Sequence, residues 1–280
     1  MVSGPHVVSC RQGDALSPLY LQIMGNSQRS GVLIVMPAWN EAEAIGNTIR
    51  HVLSTVPQHD VLVVDDGSKD DTPRIAQEAG ATVLRLPFNL GVGGAMRAGF
   101  KYALRNRYRA VIQVDADGQH DPHDIDRVLA GLEHADISIG ARFAGKGNYG
   151  AKGPRRWAMF FLAKVISGIA GTSLTDVTSG FRAANETAIR QYISHFPAEY
   201  LGDTIDSLVV AIKSGCTVTQ VPVEMKARQA GTPSQGPVKA SIYLARSGLV
   251  LCFALARRRT PRVTELHAPL SGDIAGEGSA

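Results

Sequence analysis

Short apolar runs that alternate with helical segments constrain this chain more than any other feature of its sequence. Five such runs are Val32–Met36, Val61–Val64, Thr82–Leu86, Ala110–Val114 and Ile137–Ile139. Most of them are apolar on both faces of a strand, which is typical of parallel sheets covered by helices on both sides. We therefore predict an α/β fold with a mostly parallel central sheet.

The composition describes a globular chain without an obvious polyanionic partner. The chain has 280 residues, of which 44% are hydrophobic, and this is enough for a large core. A formal net charge of +4 is mild, so we expect no nucleic-acid partner. The three cysteines, Cys10, Cys216 and Cys252, have no CxxC spacing, which suits a reducing cytoplasm. We recognise neither a signal peptide nor an apolar run of the ~18 to 20 residues that a spanning helix needs.

The sequence divides into four segments. Residues 1–30 are an extension of uncertain order, and residues 31–235 form the main domain. Residues 236–259 are predicted to form an amphipathic helix that ends in three arginines, and residues 260–280 a flexible tail. The helix could lie on an anionic membrane surface, or it could pack on the domain or in a dimer.

Polar residues follow four of the predicted strands at the point where each strand ends. These tips are Trp39–Glu41, Asp65–Asp66, Asn89–Gly94 and Asp115–Gln119. Because the carboxyl ends of parallel strands share one edge of a sheet, we expect the four tips to form a ligand site there. Turns alone are also rich in Asp, Asn and Gly, but turn chemistry less easily explains paired acids at two tips.

Asp115 and Asp117 are the best candidates for a metal site. A single alanine separates them, so two hard oxygen donors can reach one Mg²⁺ or Mn²⁺ ion that also binds phosphate. The alternative is that these acids only begin a helix. For Asp121 we prefer that alternative, with Pro122 in the first helical position.

Capping residues predict where several helices begin and end. Asn40 is predicted to cap a helix that starts at Glu41. Thr72 and Pro73 are predicted to start a second helix, which Gly80 ends. The glycine-rich segment after Asn89 indicates either a close approach of backbone to ligand or tight packing.

Four motifs in this order resemble glycosyltransferase family 2. They are Pro37-Ala38-Trp39-Asn40-Glu41, Val64-Asp65-Asp66-Gly67-Ser68, Asn89-Leu90-Gly91-Val92-Gly93 and Asp115-Ala116-Asp117-Gly118-Gln119-His120. The sequence is most similar to the dolichyl-phosphate mannose synthase and polyprenyl-phosphate glycosyltransferase branch, from about Gly31 to Arg228. The resemblance implies a GT-A fold, a GDP-, UDP- or dTDP-sugar donor, and Mg²⁺ or Mn²⁺ as cofactor.

The resemblance also implies roles for residues on the donor side. Pro37, Trp39, Glu41 and Asp66 correspond to positions that bind the base and ribose. Trp39 stands where the family usually has tyrosine, which keeps a stacking face but changes its polar end.

The metal and the donor diphosphate are assigned by the same resemblance. Asp115, Asp117 and Gln119 correspond to the metal-holding positions, and Asp117 is expected to be essential for catalysis. Gly93 and Ala116 are further expected substrate-binding residues.

Four residues of the second half are candidates for the acceptor and for the diphosphate. Arg142 and Arg182 are expected to clamp a phosphate, with a solvated arginine or an ion pair as the alternative. Asp203 corresponds to a catalytic base, needed only for a hydroxyl acceptor, or is a helix N-cap. Arg228 lies in a segment similar to a donor-covering loop, in which Gln235 replaces the usual lysine.

Together these features predict a metal-dependent inverting glycosyltransferase that acts on a polyprenyl phosphate. The segment Arg155–Ile166 combines aromatic, aliphatic and basic residues, as an interfacial helix does. We therefore expect a peripheral protein at the cytoplasmic face of the membrane, and a homodimer is an open option. The alternatives are a hydroxyl-accepting glycosyltransferase, a nucleotidyltransferase and a non-catalytic nucleotide-sugar-binding module.

Overall fold

The computed structural model describes residues 7–9, 31–142, 154–195 and 203–224. Its strands are β1 (Val7–Ser9), β2 (Val32–Ala38), β3 (Asp60–Asp65), β4 (Thr82–Arg85), β5 (Ala110–Gln113), β6 (Ile137–Ala141), β7 (Arg182–Asn185) and β8 (Val218–Pro222). Its α-helices are α1 (Ile45–Thr55), α2 (Thr72–Glu78), α3 (Gly91–Arg105), α4 (Ile125–Ala130), α5 (Pro154–Ala170), α6 (Glu186–His195) and α7 (Asp203–Lys213). Two short 3₁₀ helices, Pro122–Asp124 and Gly131–Glu133, flank α4.

The described strands form one sheet in the order β1-β4-β3-β2-β5-β7-β6-β8. All neighbouring pairs are parallel except the two that involve β7. The predicted mostly parallel α/β sheet is therefore confirmed.

The core lies on both faces of this sheet, as the continuous apolar runs require. Along β2, Leu33 and Val35 belong to one buried cluster, whereas Ile34 and Met36 belong to a second cluster. All four side chains are at most 1% exposed. Both faces of the strand are therefore dry, and burial of this area is the main stabilising term in folding.

Strand β7 was not predicted. Its residues, Arg-Ala-Ala-Asn, include no β-branched or aromatic side chain, so the sequence carries no strand signal. In the structure β7 runs antiparallel between β5 and β6, with Arg182 opposite Gln113. The segment that precedes β7 consequently lies beside the loop that follows β5.

The prediction that α1 begins at Glu41 is wrong, because the helix begins at Ile45. Asn40 adopts a left-handed backbone conformation, with φ of +54°. Its side-chain oxygen accepts a hydrogen bond from the backbone N–H of Lys69, and its own N–H donates to the Ser68 hydroxyl. Asn40 thus binds the loop after β3 rather than the amides of a following helix.

Other predicted boundaries are confirmed. Helix α2 begins at Thr72 and ends just before Gly80, whose φ of +101° is the left-handed conformation that glycine adopts without cost. Asp121 caps the first 3₁₀ helix by accepting the backbone N–H of His123, and Pro122 is its first residue.

Helix α5 contains the segment predicted to be interfacial. Phe160 and Phe161 are each 64% exposed, whereas Leu162 and Ile166 on the same helix are buried. None of the helices in the described ranges is long and apolar enough to cross a bilayer.

The segments predicted at the two ends of the chain are only partly described. Within residues 1–30, Val7–Ser9 pairs with β4 as an outer strand of the sheet. The predicted helix at 236–259, the tail at 260–280 and Arg228 lie outside the described residues.

Candidate active site at the carboxyl edge of the sheet

The loop after β5 holds Asp117 in a fixed orientation. Asp117 is 5% exposed, and its Oδ1 atom accepts the backbone N–H of Gln119 at 3.0 Å. Gly118, between them, has a φ of +73°, which L side chains rarely adopt. This tight turn helps to align the Asp117 carboxylate.

Asp115 is the more accessible acid, with a side chain that is 40% exposed. The Gln113 amide donates to its Oδ1 atom at 3.2 Å, and His120 Nε2 lies 3.6 Å from its Oδ2 atom. The backbone N–H of Asp115 donates to His120 Nδ1 at 3.1 Å. Since Nδ1 is the acceptor, a neutral imidazole carries its proton on Nε2, facing the carboxylate.

Packing from two sides holds this loop in place. The ring of His120 stacks on Phe181 with centroids 4.7 Å apart and an interplanar angle of 14°. From helix α1, the Thr48 hydroxyl donates to the carbonyl oxygen of Ala116 at 3.0 Å. Ala116 is buried in the core, and its contact with a substrate stays a prediction.

Gly180 leaves space beside the Asp115 carboxylate. A Cβ atom at position 180 would lie 3.1 Å from Gln113 Nε2, and 3.4 and 3.5 Å from the two carboxylate oxygens of Asp115. Two carboxylates and the amide of Gln119 make an oxygen-rich donor set, which fits Mg²⁺ or Mn²⁺ and not a soft metal.

Asp66, expected to bind the base and ribose, caps a helix in the structure. Its two carboxylate oxygens accept the backbone N–H groups of Leu90 and Gly91, at 2.7 and 2.8 Å, at the start of α3. Burial raises the pKa of the Asp66 carboxyl above its usual range, and these two hydrogen bonds offset the rise only in part.

The other expected donor residues lie along the same edge. Trp39 directly follows β2 and is 48% exposed, so about half of the residue is accessible to solvent. Pro37 is half-buried within β2, and Gly93 is buried in the first turn of α3. Glu41 is half-buried, and its backbone N–H donates to the Thr72 hydroxyl at 2.8 Å.

Arg142, for which a phosphate clamp stays a prediction, forms a buried ion pair with Asp176. Its Nε and one terminal nitrogen donate to Asp176 at 2.6 and 2.9 Å, and the same terminal nitrogen reaches the Thr178 hydroxyl at 2.8 Å. Burial raises the pKa of Asp176, but the Arg142 guanidinium outweighs it and holds that pKa below its usual range. The sequence named the ion pair only as the alternative.

Arg182 is likewise engaged within the fold. Its guanidinium donates to the backbone carbonyls of Val177, Ser179 and Thr204. The side chain therefore joins the segment before β7 to the first turn of α7. These bonds describe a positioning residue rather than an open phosphate clamp.

Asp203 and Arg228 stay predictions as site residues. Asp203 is the first residue of α7, in agreement with a position at a helix start, and only its backbone is described. Arg228 lies outside the described residues.

A cleft opens beside the loop that follows β5, between α3, β7 and α7. Its lining is mainly apolar, and Gln113 and Arg182 are among its polar residues. The remaining lining residues are Val92, Met96, Phe100, Gly180, Ala183, Ala184, Tyr192, Thr204 and Ser207. The same Gln113 amide thus contacts both the cleft and Asp115.

Gln113, His120 and Gly180 were not predicted as functional residues. Gln113 is a polar residue inside an otherwise apolar run, and this signal was present in the sequence. His120 belonged to a quoted motif but had no assigned role. The segment Asp176 to Arg182 resembles a family segment that closes the active site, but the place of Gly180 beside Asp115 depends on the pairing of the unpredicted strand β7.

The sequence of this chain is similar to those of known proteins. The family model described as glycosyl transferase family 2 matches residues 33–193. Undecaprenyl-phosphate mannosyltransferase from Micrococcus luteus is 31% identical, over 81% of this chain and 98% of its own length. Polyprenol monophosphomannose synthase from Mycolicibacterium smegmatis is also 31% identical, over 71% of this chain and 78% of that protein.

A solved structure shows the same fold. Glucosyl-3-phosphoglycerate synthase from Mycobacterium tuberculosis, in complex with Mn²⁺, UDP-glucose and phosphoglyceric acid, superposes with a TM-score of 0.61. It is 18% identical, and the match covers 90% of this chain and 89% of that one. From the family match, the similar sequences and the shared GT-A fold, it follows that this chain belongs to glycosyltransferase family 2 and is a glycosyltransferase.

Proposed function

We propose that this glycosyltransferase moves a sugar from a nucleoside diphosphate sugar to a polyprenyl phosphate, with inversion at the anomeric carbon. The observation that carries the proposal is the pair Asp115 and Asp117, oriented beside a cleft at the carboxyl edge of the sheet. The acceptor class is supported by the similar proteins, whose names specify undecaprenyl phosphate or a polyprenol.

The proposal includes a bound Mg²⁺ or Mn²⁺ ion, which Asp115, Asp117 and Gln119 would hold. When bound, the ion would oppose the negative charge that develops on the departing diphosphate. Gln113 and His120 orient the Asp115 carboxylate, while the loop's own backbone orients Asp117. These bonds fix the orientation of both carboxylates, which favours a preorganised site.

The nucleotide is proposed to lie against Trp39 and Asp66. The half-exposed indole offers a stacking face for the base. Asp66 would accept a ring N–H in addition to its two backbone hydrogen bonds, since a carboxylate has about four acceptor positions. Uracil, guanine and thymine all provide such a group, so UDP-, GDP- and dTDP-sugars are all candidate donors. Together with Trp39 and Asp66, Pro37 and Glu41 are assigned to the base and ribose.

In the proposed reaction, a phosphate oxygen of the acceptor attacks the anomeric carbon from the face opposite the diphosphate. The new carbon–oxygen bond forms as the old one breaks, and the electron pair leaves with the diphosphate. An ionised phosphate needs no general base, so Asp203 would be required only for a hydroxyl acceptor. Arg228 is assigned to the charge on the departing diphosphate.

Arg142 and Arg182 are proposed to shape the acceptor side rather than to bind phosphate directly. Arg142 holds the segment that starts at Asp176, and Arg182 ties the end of that segment to α7. Either guanidinium would have to exchange existing bonds to reach a ligand.

A lipid acceptor places the protein at the cytoplasmic face of a membrane in this proposal. Phe160 and Phe161 support it, because two neighbouring aromatic side chains are mostly exposed on one helix. A homodimer stays a prediction.

A transfer assay tests the proposal. GDP-, UDP- and dTDP-sugars are supplied with or without a polyprenyl phosphate, and with Mn²⁺ or a chelator. We expect transfer that needs both lipid phosphate and metal, and that persists in Asp203→Asn. Transfer to a hydroxyl acceptor that Asp203→Asn abolishes would favour the first alternative. Nucleotide-sugar binding without any transfer would favour a binding module.

A further inference from the structure

A second group of metal-ligating side chains lies outside the candidate active site. His51 from helix α1 meets Asp121 and His123 from the start of the first 3₁₀ helix. One ligand atom from each residue lies within 4.8 Å of the other two. Among the described residues, these three form a group that could hold a metal ion. The two imidazole rings meet edge to face, with centroids 5.9 Å apart.

The spacing of these atoms is close to that of a metal site. Asp121 Oδ1 and His123 Nδ1 are 2.9 Å apart. Ligands at the usual zinc distances of ~2.0 to 2.2 Å are separated by about 3.3 Å in a tetrahedron. The side chain of His123 is 70% exposed, so a small rotation of its ring can bring it to that spacing.

We propose that His51, Asp121 and His123 bind a Zn²⁺ ion, with water in the fourth position. Two imidazoles and one carboxylate are borderline ligands that suit Zn²⁺, whereas Mg²⁺ prefers oxygen donors alone. The proposed site therefore differs in chemistry from the oxygen-rich donor set of Asp115 and Asp117. The exposed His123 provides a route by which the ion can enter.

Capping explains only part of this arrangement. The hydrogen bond that Asp121 accepts from the backbone of His123 is an ordinary helix cap, and it accounts for Asp121 by itself. The imidazole of His123 also lies at hydrogen-bonding distance from the same carboxylate, but neither contact explains why His51 lies within reach. The third residue, from a different element, is what distinguishes a ligand set from a cap.

A bound ion would connect helix α1 to the end of the loop that carries Asp115 and Asp117. The helix already contacts this loop through the Thr48 hydroxyl, one turn before His51, which binds the Ala116 carbonyl. Asp121 directly follows the loop's last residue, His120. A ligand that binds only the folded chain stabilises it, so Zn²⁺ is expected to raise the melting temperature by several degrees.

The test is titration of the full chain, without a polyhistidine tag, with Zn²⁺ and with Co²⁺. Calorimetry gives the stoichiometry, and visible absorption of Co²⁺ reports tetrahedral nitrogen and oxygen ligands. Asp117→Asn serves as the background, so that ions at the other site do not obscure the result. His134→Gln is the matched control, because His134 is exposed and lies outside the cluster.

We expect one Zn²⁺ equivalent in the background and in His134→Gln, and at least tenfold weaker binding in His51→Gln and in His123→Gln. Each variant's melting temperature without metal shows whether it is folded, and exposed His123 is the safer position to change. Unchanged affinity in folded His123→Gln would overturn the proposal, as would equal weakening in His134→Gln.

Discussion

The two sides of the sheet edge hold their buried carboxylates in different ways. On the donor side, Asp66 is held by backbone N–H groups at the start of α3. On the acceptor side, Asp176 is held mainly by the guanidinium of Arg142. The pKa of Asp66 is raised by burial, whereas that of Asp176 is lowered by its arginine despite burial. On the donor side, backbone amides thus hold Asp66, whereas on the acceptor side a guanidinium holds Asp176.

The largest effect is expected on the donor side, from Asp117→Asn. Loss of this carboxylate should lower kcat by on the order of 10³-fold, as removal of a main charge-stabilising group does. The fold should persist, because asparagine can keep the hydrogen bond from Gln119. Initial rates with saturating Mn²⁺ measure kcat, and thermal melts show whether the variant is folded. Glu133→Gln, at an exposed position, is the control. If Asp117→Asn keeps a rate within tenfold of wild type, the proposed role of the metal is wrong.

The acceptor side should respond in stability. Asp176→Asn leaves the mostly buried Arg142 without its charged partner, which is expected to cost about 3 to 5 kcal/mol in the free energy of unfolding. The exposed pair between Glu186 and Arg190 is the matched control, and Glu186→Gln should cost about 0.5 kcal/mol or less. Urea unfolding of both variants gives the comparison. Equal losses would show that burial of the first pair has no energetic consequence.

The opposite pKa directions predict opposite pH dependence for the two acids. The contribution of Asp176 to the free energy of unfolding is present above the pKa of the unfolded chain, near ~3.9. It is lost as pH falls through the lower pKa of the folded chain. The contribution of Asp66 is greatest below its unfolded pKa and is lost as pH rises through its higher folded pKa. Thermal melts between neutral pH and pH ~3 should therefore show how stability falls with acid. Relative to wild type, we expect the melting temperature to fall less steeply in Asp176→Asn and more steeply in Asp66→Asn. Each tenfold difference in proton affinity between the folded and unfolded chain corresponds to about 1.4 kcal/mol. Equal slopes of melting temperature against pH in the two variants would contradict the opposite pKa directions.

The smallest effect is expected where the two sides meet. Gly180→Ala would push a methyl group against the Gln113 amide and beside the Asp115 carboxylate. We expect a several-fold rise in the Mn²⁺ concentration for half-maximal rate, and little change in stability. Gly168→Ala is the control, because a Cβ there meets nothing within 4 Å. An identical metal requirement in both variants would separate Gly180 from the site.

Patterns within short segments were enough to predict much of the fold. The apolar runs predicted the parallel strands, and the acids after β3 and β5 predicted the position of the candidate site. The strand at Arg182–Asn185 was missed because two alanines and two polar residues have no strand preference. Asn40 was misassigned because its partners, Ser68 and Lys69, follow a different strand.

Long-range pairing limited the prediction of the candidate site. Arg142 and Asp176 are 34 positions apart in sequence, so the ion pair could be named only as an alternative. The carbonyls that hold Arg182 belong to a loop and to the first turn of α7, and no sequence pattern marks a backbone acceptor. Charged residues were recognised readily, but whether each faces a ligand or a neighbour depends on the tertiary structure.

The cap at the start of α3 has an electrostatic consequence for the donor. Peptide dipoles give a helix about half a positive charge at its first turn, and many phosphate sites use that field. Here the Asp66 carboxylate already neutralises it, so the first turn of α3 offers an incoming pyrophosphate little attraction. In the proposed function, compensation for the pyrophosphate would then come from the bound Mg²⁺ or Mn²⁺ ion and from basic side chains, and donor affinity would be sensitive to ionic composition.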